Sequence, residues 1–108
     1  MLFRSPFRSD RRRSADLNGT DLSVANLRGA SLKLARFGET SLRGADLAGA
    51  SFAGTAVADT DFASANLLDT DFTGADLSRA KGLIQRQIDK ARIDGKTTLP
   101  PGLRRPDA

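Results

Sequence analysis

Aspartate and serine are the abundant side chains with which this chain could do chemistry. Among its 108 residues there is no His, Cys, Tyr or Trp. The commonest general base and the thiol nucleophile are therefore missing. So are the ligands of the usual zinc or copper sites. What remains is a supply of carboxylates, among them Asp46, Asp59, Asp61, Asp69, Asp71 and Asp76, and two suitably placed carboxylates are enough for hydrolytic acid–base work. Their spacing argues for another role. Asp16, Asp21, Asp46, Asp61, Asp71 and Asp76 each stand directly before a large apolar residue, at intervals that are multiples of five, whereas Asp59 and Asp69 fall at presumed corners. Solubility and corner hydrogen bonding account for carboxylates in such positions. The glycines recur with the same period, so they are not a phosphate cradle or a dinucleotide fingerprint. The reading is of a chain with no catalytic residue, no cofactor and no metal.

The period organises residues 15–81. Read from Ala15 in steps of five, the register never slips, and every step has a large apolar centre: Leu17, Leu22, Leu27, Leu32, Phe37, Leu42, Leu47, Phe52, Val57, Phe62, Leu67, Phe72 and Leu77. Two positions before each centre stands Ala or Thr. On an α-helix, five residues turn through 500°, so successive centres would form no stripe. On a flat strand, an odd period would alternate them between faces. A chain that bends once per repeat keeps every centre inside. The small residue and the centre, two apart, both point inward, and the residue between them points outward. The next two residues make a corner, where Gly recurs because it tolerates tight-turn backbone angles. The weakest repeat is Thr55–Asp59, with Val57 as centre and Ala56 where a polar residue is usual; a local irregularity is expected there.

These repeats resemble the pentapeptide-repeat family, whose pattern is A-(D/N)-L-x-x. The resemblance implies an all-β solenoid: a right-handed quadrilateral β-helix of about three coils, with four repeats per coil. Strand-like spacing of about 4.8 Å per coil would make it roughly 16 Å tall. Centres twenty residues apart would then stack in columns, such as Leu17, Phe37, Val57 and Leu77. From Leu83 the sequence reads LIQRQIDKARID, which sets Ile84, Ile88 and Ala91 on one helical face beside Leu83 and Gln87. That pattern predicts a short C-terminal capping α-helix within residues 82–95, with Gly95 as its stop and Pro100–Pro101 starting an extended tail over 96–108. This C-terminal stretch is similar to one that follows the repeats in many bacterial pentapeptide-repeat proteins, on Leu83, Gln87, Ile88, Asp89, Ala91, Asp94, Thr97, Leu99, Pro100, Gly102 and Leu103.

Charge is uneven. Residues 1–14 are a basic N-terminal tail or cap of net +4, carrying Arg4, Arg8, Arg11, Arg12 and Arg13; residues 15–81 have net −3, and residues 82–108 net +3. Leu2, Phe3 and Phe7 could cover the first coil, meet a second chain or touch a membrane whose phosphates the arginines would pair with; disorder is the other option for such a terminus. The N-terminus lacks the apolar segment of a secretory signal, and no apolar run is long enough to span a membrane. A cytoplasmic location is the expectation. Arg28, Lys33, Arg36 and Arg43 lie early in the repeats and five aspartates late, which suggests self-association through the solenoid ends or capture of an acidic partner. Val24, Leu34 and Leu68 are large apolar residues at presumed corners, and Leu34 and Leu68 are candidate contact residues.

The leading functional reading is a non-catalytic interaction or scaffolding module that presents flat faces to an as yet unidentified protein partner. The family resemblance implies an alternative, a DNA mimic acting on DNA gyrase or another DNA-binding protein. Mimicry of a duplex charged about every 1.7 Å calls for a long negative rod, and this solenoid is short, mildly acidic and basic at its ends. A third reading is nucleic-acid or membrane-surface binding by the arginines of residues 1–14, without Tyr or Trp for stacking.

Overall fold

A computed structural model describes residues 15–106. The expectations for residues 1–14, including Arg4, Arg8, Arg11, Arg12 and Arg13, fall outside these described residues. The described chain is a parallel solenoid built almost entirely from single-residue rungs. Asp16 pairs with Arg36, Asp21 with Ser41, Asn26 with Asp46 and Ser31 with Ser51, all in parallel, and the same twenty-residue step continues to Asp61 with Lys81. Each rung carries a regular exchange: the Leu22 N–H donates to the Ser41 carbonyl at 2.8 Å, and the Ser41 N–H donates back to Thr20 at 2.9 Å. Within one twenty-residue step the chain turns four times. The N–H groups of Thr20, Ala25, Ala30 and Ala35 close these turns on the carbonyls of Leu17, Leu22, Leu27 and Leu32.

The corners show why the outward strand position is Asp, Asn or Ser. Its side chain accepts the N–H of the residue two further on: Asp16 from Asn18, Asp21 from Ser23, Asn26 from Arg28, Asp61 from Ala63, Asp76 from Ser78. This is the local side-chain mimic of a backbone turn that these residue types favour. Arg36 and Ala56 are the repeat positions that offer no such acceptor. At these two levels the turn bond is absent and the chain runs on as β1 (Phe37–Gly38) and β2 (Val57–Ala58), paired in parallel with Phe37 opposite Val57. The irregularity expected at Val57 thus occurs at two levels, with Phe37 as its partner.

Inside, the centres from Leu42 to Leu77 are fully or nearly fully buried. Leu17, Leu22, Leu27 and Leu32 are only partly covered, because the first level has a described neighbour on one side only. Phe52 stacks on Phe72 with centroids 5.0 Å apart, and Phe62 meets both edge-on. The buried Thr residues of the inner layer satisfy their hydroxyls on backbone carbonyls: Thr40 donates to Leu17 and Thr70 to Leu47 on the neighbouring level, Thr55 to Ala53 and Thr60 to Ala58 on their own. Their buried polar atoms therefore carry no open desolvation cost.

After Lys81 the repeat gives way. Gly82 passes so close to the last level that a Cβ would lie 2.7 Å from the Ala63 nitrogen, and its φ of +78° is one that L side chains rarely adopt. One helix follows, α1 (Gln85–Lys90). It is shorter than the expected 82–95 stretch. Ile84 and Ala91 flank it with extended backbone, Leu83 is partly buried, and Ile84 is 53% exposed. The single helical face drawn through Ile84, Ile88 and Ala91, beside Leu83 and Gln87, is therefore corrected: of the three face residues Ile88 alone is fully buried. The cause is the ladder. Arg92 donates its N–H to Thr70 and accepts from Phe72, which draws the chain out of the helix well before Gly95. The partner of Ile88 is Gln87, which packs inward and donates to the carbonyls of Phe62 and Ala65 while its Oε1 accepts the Ile84 N–H.

Candidate interaction surfaces

The outward residues of the rungs define what the solenoid can present. Short side chains dominate, and three of the arginines pair between levels. Arg28 reaches Asp46 at 3.1 Å, Arg43 reaches Asp61 at 2.9 Å and Arg79 reaches Asp59 at 3.0 Å. Asn66 adds a further bond to Asp46. Arg28 and Arg43 thus meet later aspartates across one coil step and Arg79 an earlier one, and charges that look polarised in the sequence are partly neutralised in space. Each such pair is solvent-accessible, screened by water and salt, and contributes little to stability.

Five of the repeat carboxylates, Asp21, Asp46, Asp61, Asp71 and Asp76, are held ionised by the fold. The Ser23 hydroxyl, then its N–H, lowers Asp21 below the ordinary carboxylate range, and the Thr73 and Ser78 hydroxyls do the same for Asp71 and Asp76. Arg28 is the main cause at Asp46. At Asp61 partial burial works the other way, and the Arg43 and Ala63 hydrogen bonds overcome it. Asp94, in the C-terminal segment, is lowered chiefly by the Gly74 N–H and then by Thr97 and Lys96. All six are acceptors in local hydrogen bonds. None is raised toward the neutral range that a general acid requires.

The apolar candidates lie apart. Leu34 is 69% exposed and Leu68 48%, and Val24, at 79%, is the most exposed of all. Leu34 and Val24 occupy the second corner position, on different columns, at φ values of +67° and +54°. Leu68 takes the first corner position of a third column. The structure brings no two of them together into one patch. Ile84 is the exposed apolar side chain that the sequence reading missed, because its spacing from Ile88 matched a helical face. Its backbone shows that the helix begins one residue later.

Parallel rungs at a twenty-residue step, single-residue strands and a core of stacked Leu and Phe define a β-solenoid repeat protein. A family model described as Pentapeptide repeats matches residues 13–44 and 40–79, in eight copies. The chain belongs to the pentapeptide-repeat family, and its fold is a right-handed β-helix solenoid. Among solved structures it is similar to a trypsin-treated form of QnrB1, described as a plasmid-mediated fluoroquinolone resistance protein, at 24% identity and a TM-score of 0.40. That match covers 74% of this chain and 37% of the other, so this chain spans little more than a third of its length. No curated protein matches the chain.

Proposed function

We propose that this protein is a non-catalytic docking module: a four-sided solenoid of about three coils, with α1 covering its C-terminal end, whose faces bind another protein. One observation carries the reading. The repeat aspartates that could have formed a reactive pair accept hydrogen bonds from their own corners or from an arginine one level away. The chemistry of these residues is used in building the surface, and what the surface offers is shape, short polar side chains and a few exposed apolar ones. DNA mimicry is disfavoured by the same pairs, because Arg28, Arg43 and Arg79 interrupt the negative charge along the faces.

The test is a capture experiment with the full tagged chain and with Leu34→Asp and Leu68→Asp variants. Loss of the same partner from one or both variants, with an unchanged melting curve, supports docking on the faces. Identical partners and identical mass for all three proteins remove these two residues from the contact. A chain without residues 1–14 run alongside separates binding by the solenoid from binding by the basic tail.

A further inference from the structure

The twenty-residue ladder stops at one place on the C-terminal end of the solenoid, and a groove lies there. In the second column, the N–H of Val24 donates to Arg43 and that of Gly44 to Ala63. The equivalent N–H one level later, on Ser64, has no acceptor among the described residues. In the third column, the N–H of Leu27 donates to Asp46 and that of Leu47 to Asn66, whereas that of Leu67 has no acceptor among the described residues. The reason is that α1 interrupts the run of rungs: after the Lys81 carbonyl, which takes the Phe62 N–H, the next acceptor is the Lys90 carbonyl, which takes that of Asp69. The Gln87 side chain satisfies the carbonyls of Phe62 and Ala65 at this edge, but nothing takes the two N–H groups. The edge is therefore short of acceptors, a condition that an added extended chain relieves.

Residues 63–67 form one wall of the groove, and Ile84, Arg86, Gln87 and Lys90 form the other. Arg86 and Lys90 are its only charged lining residues, both are exposed, and neither pairs with a carboxylate among the described residues. Ile84 adds an apolar side chain left half outside the core. Free donors, positive charge and an apolar foothold select the same occupant. We infer that this groove takes an extended acidic segment of a partner protein, its backbone carbonyls or carboxylates accepting from Ser64 and Leu67, its acidic side chains facing Arg86 and Lys90, and one large apolar side chain against Ile84. This is strand addition to an open edge, with pockets and charge supplying selectivity. The chain's own first fourteen residues carry five arginines, so their charge has the same sign as the rim and does not complement it. The inference deepens the docking reading and rests on it.

The experiment pans a phage-displayed library of random dodecapeptides against the full chain. Selected peptides are then measured by fluorescence polarisation against wild type, the Arg86→Glu/Lys90→Glu double variant and Ile84→Glu. All three substituted side chains are exposed, so circular dichroism should show the fold intact. The expected result is enrichment of peptides with Asp or Glu around a large apolar residue, weakened about tenfold or more by the charge reversal, with the Ser64 and Leu67 amide resonances moving on titration. Peptides that bind the charge-reversed protein undiminished would overturn the groove while leaving the docking reading in place. Failure to enrich any acidic peptide overturns the groove as well, and the Leu34 and Leu68 variants then decide the wider reading independently. A dimeric wild type made monomeric by Ile84→Glu would show that a second copy occupies the groove, which also overturns the acidic-peptide assignment.

Discussion

Val24 sits at φ +54° with its side chain almost wholly in solvent. A β-branched residue in the left-handed region is strained by roughly 1–2 kcal/mol, and the same corner one level later is Gly44. Val24→Gly should therefore stabilise the protein by about 1 kcal/mol and raise its Tm by about 5 °C. A lower Tm would mean that the Val24 methyls, which lie over Gly44, contribute more by packing than the backbone loses by strain. The carboxylates at the corners make a prediction of opposite character. Asp71 and Asp76 have folded pKa values lowered first by the Thr73 and Ser78 hydroxyls and next by their N–H groups. Between the lowered folded pKa and the unfolded value of about 3.9, the unfolded chain binds more protons. The stabilisation is thus fully present above about pH 4 and is lost as pH falls through the folded pKa values. Asn at either position keeps an acceptor for the corner N–H, as Asn26 and Asn66 do naturally, but does not titrate. Asp71→Asn/Asp76→Asn should flatten the fall of Tm as the pH drops below about 4. An acid limb as steep as wild type's would assign the acid sensitivity to other groups. What the sequence showed at this scale was residue type against position: Asp or Asn before the centre reads as a turn acceptor. The six non-glycine residues at positive φ, Val24, Leu34, Glu39, Asp59, Ser64 and Asp69, were legible as corners but not as left-handed. That conformation is imposed by the coil closing on itself, and their own side chains do not favour it.

The elements are short because the fold needs little of each. A rung of one residue is enough when the next level repeats it, and β1 and β2 extend only where Arg36 and Ala56 leave a corner without its side-chain acceptor. The helix shows the limit of periodic reading. Ile84, Ile88 and Ala91 have helical spacing, but the two ends of α1 are set by contacts far away in the chain: Gln87 on Phe62 and Ala65, and Arg92 on Thr70 and Phe72. No local pattern encodes those distances. Gln87 holds α1 more than any apolar residue except Ile88, for its amide is buried and makes both bonds at about the usual length, 2.9 and 3.1 Å. Gln87→Leu would keep the bulk and leave the Ala65 carbonyl without its partner. The expected cost is about 1–3 kcal/mol. It should appear as faster amide exchange through residues 83–91, with the rungs between Asp21 and Asp61 unaffected. Uniformly faster exchange through the whole chain would show that α1 and the solenoid unfold as one unit.

At the scale of the molecule, the C-terminal end of the described solenoid is covered by a segment that rejoins the ladder after α1. Asp71 bridges Arg92 and Asp76 bridges Thr98, and Thr97 places its buried hydroxyl on the Phe72 carbonyl. The offset has grown beyond twenty residues because α1 is inserted in the path, and its Ile88 joins the buried core. Asp94 pins the returning chain by accepting from the Gly74 and Lys96 N–H groups and the Thr97 hydroxyl. A chain ended after Lys81 would keep all its repeats but lose every one of these partners. The Phe72 and Leu77 N–H groups would lose the Arg92 and Thr98 carbonyls, and the last level of the core would lie open. An open row of strand donors above a phenylalanine stack is a template for another chain. The truncated protein is expected to form concentration-dependent assemblies of increasing mass by light scattering, under conditions where the full chain has one discrete mass. Restoring residues 82–106 with Ile88→Asp should give the same assemblies, since the segment then cannot bury its anchor. A truncated chain that stayed discrete and melted cooperatively would show that stacking of the levels alone is sufficient, and that the C-terminal segment serves binding and not closure.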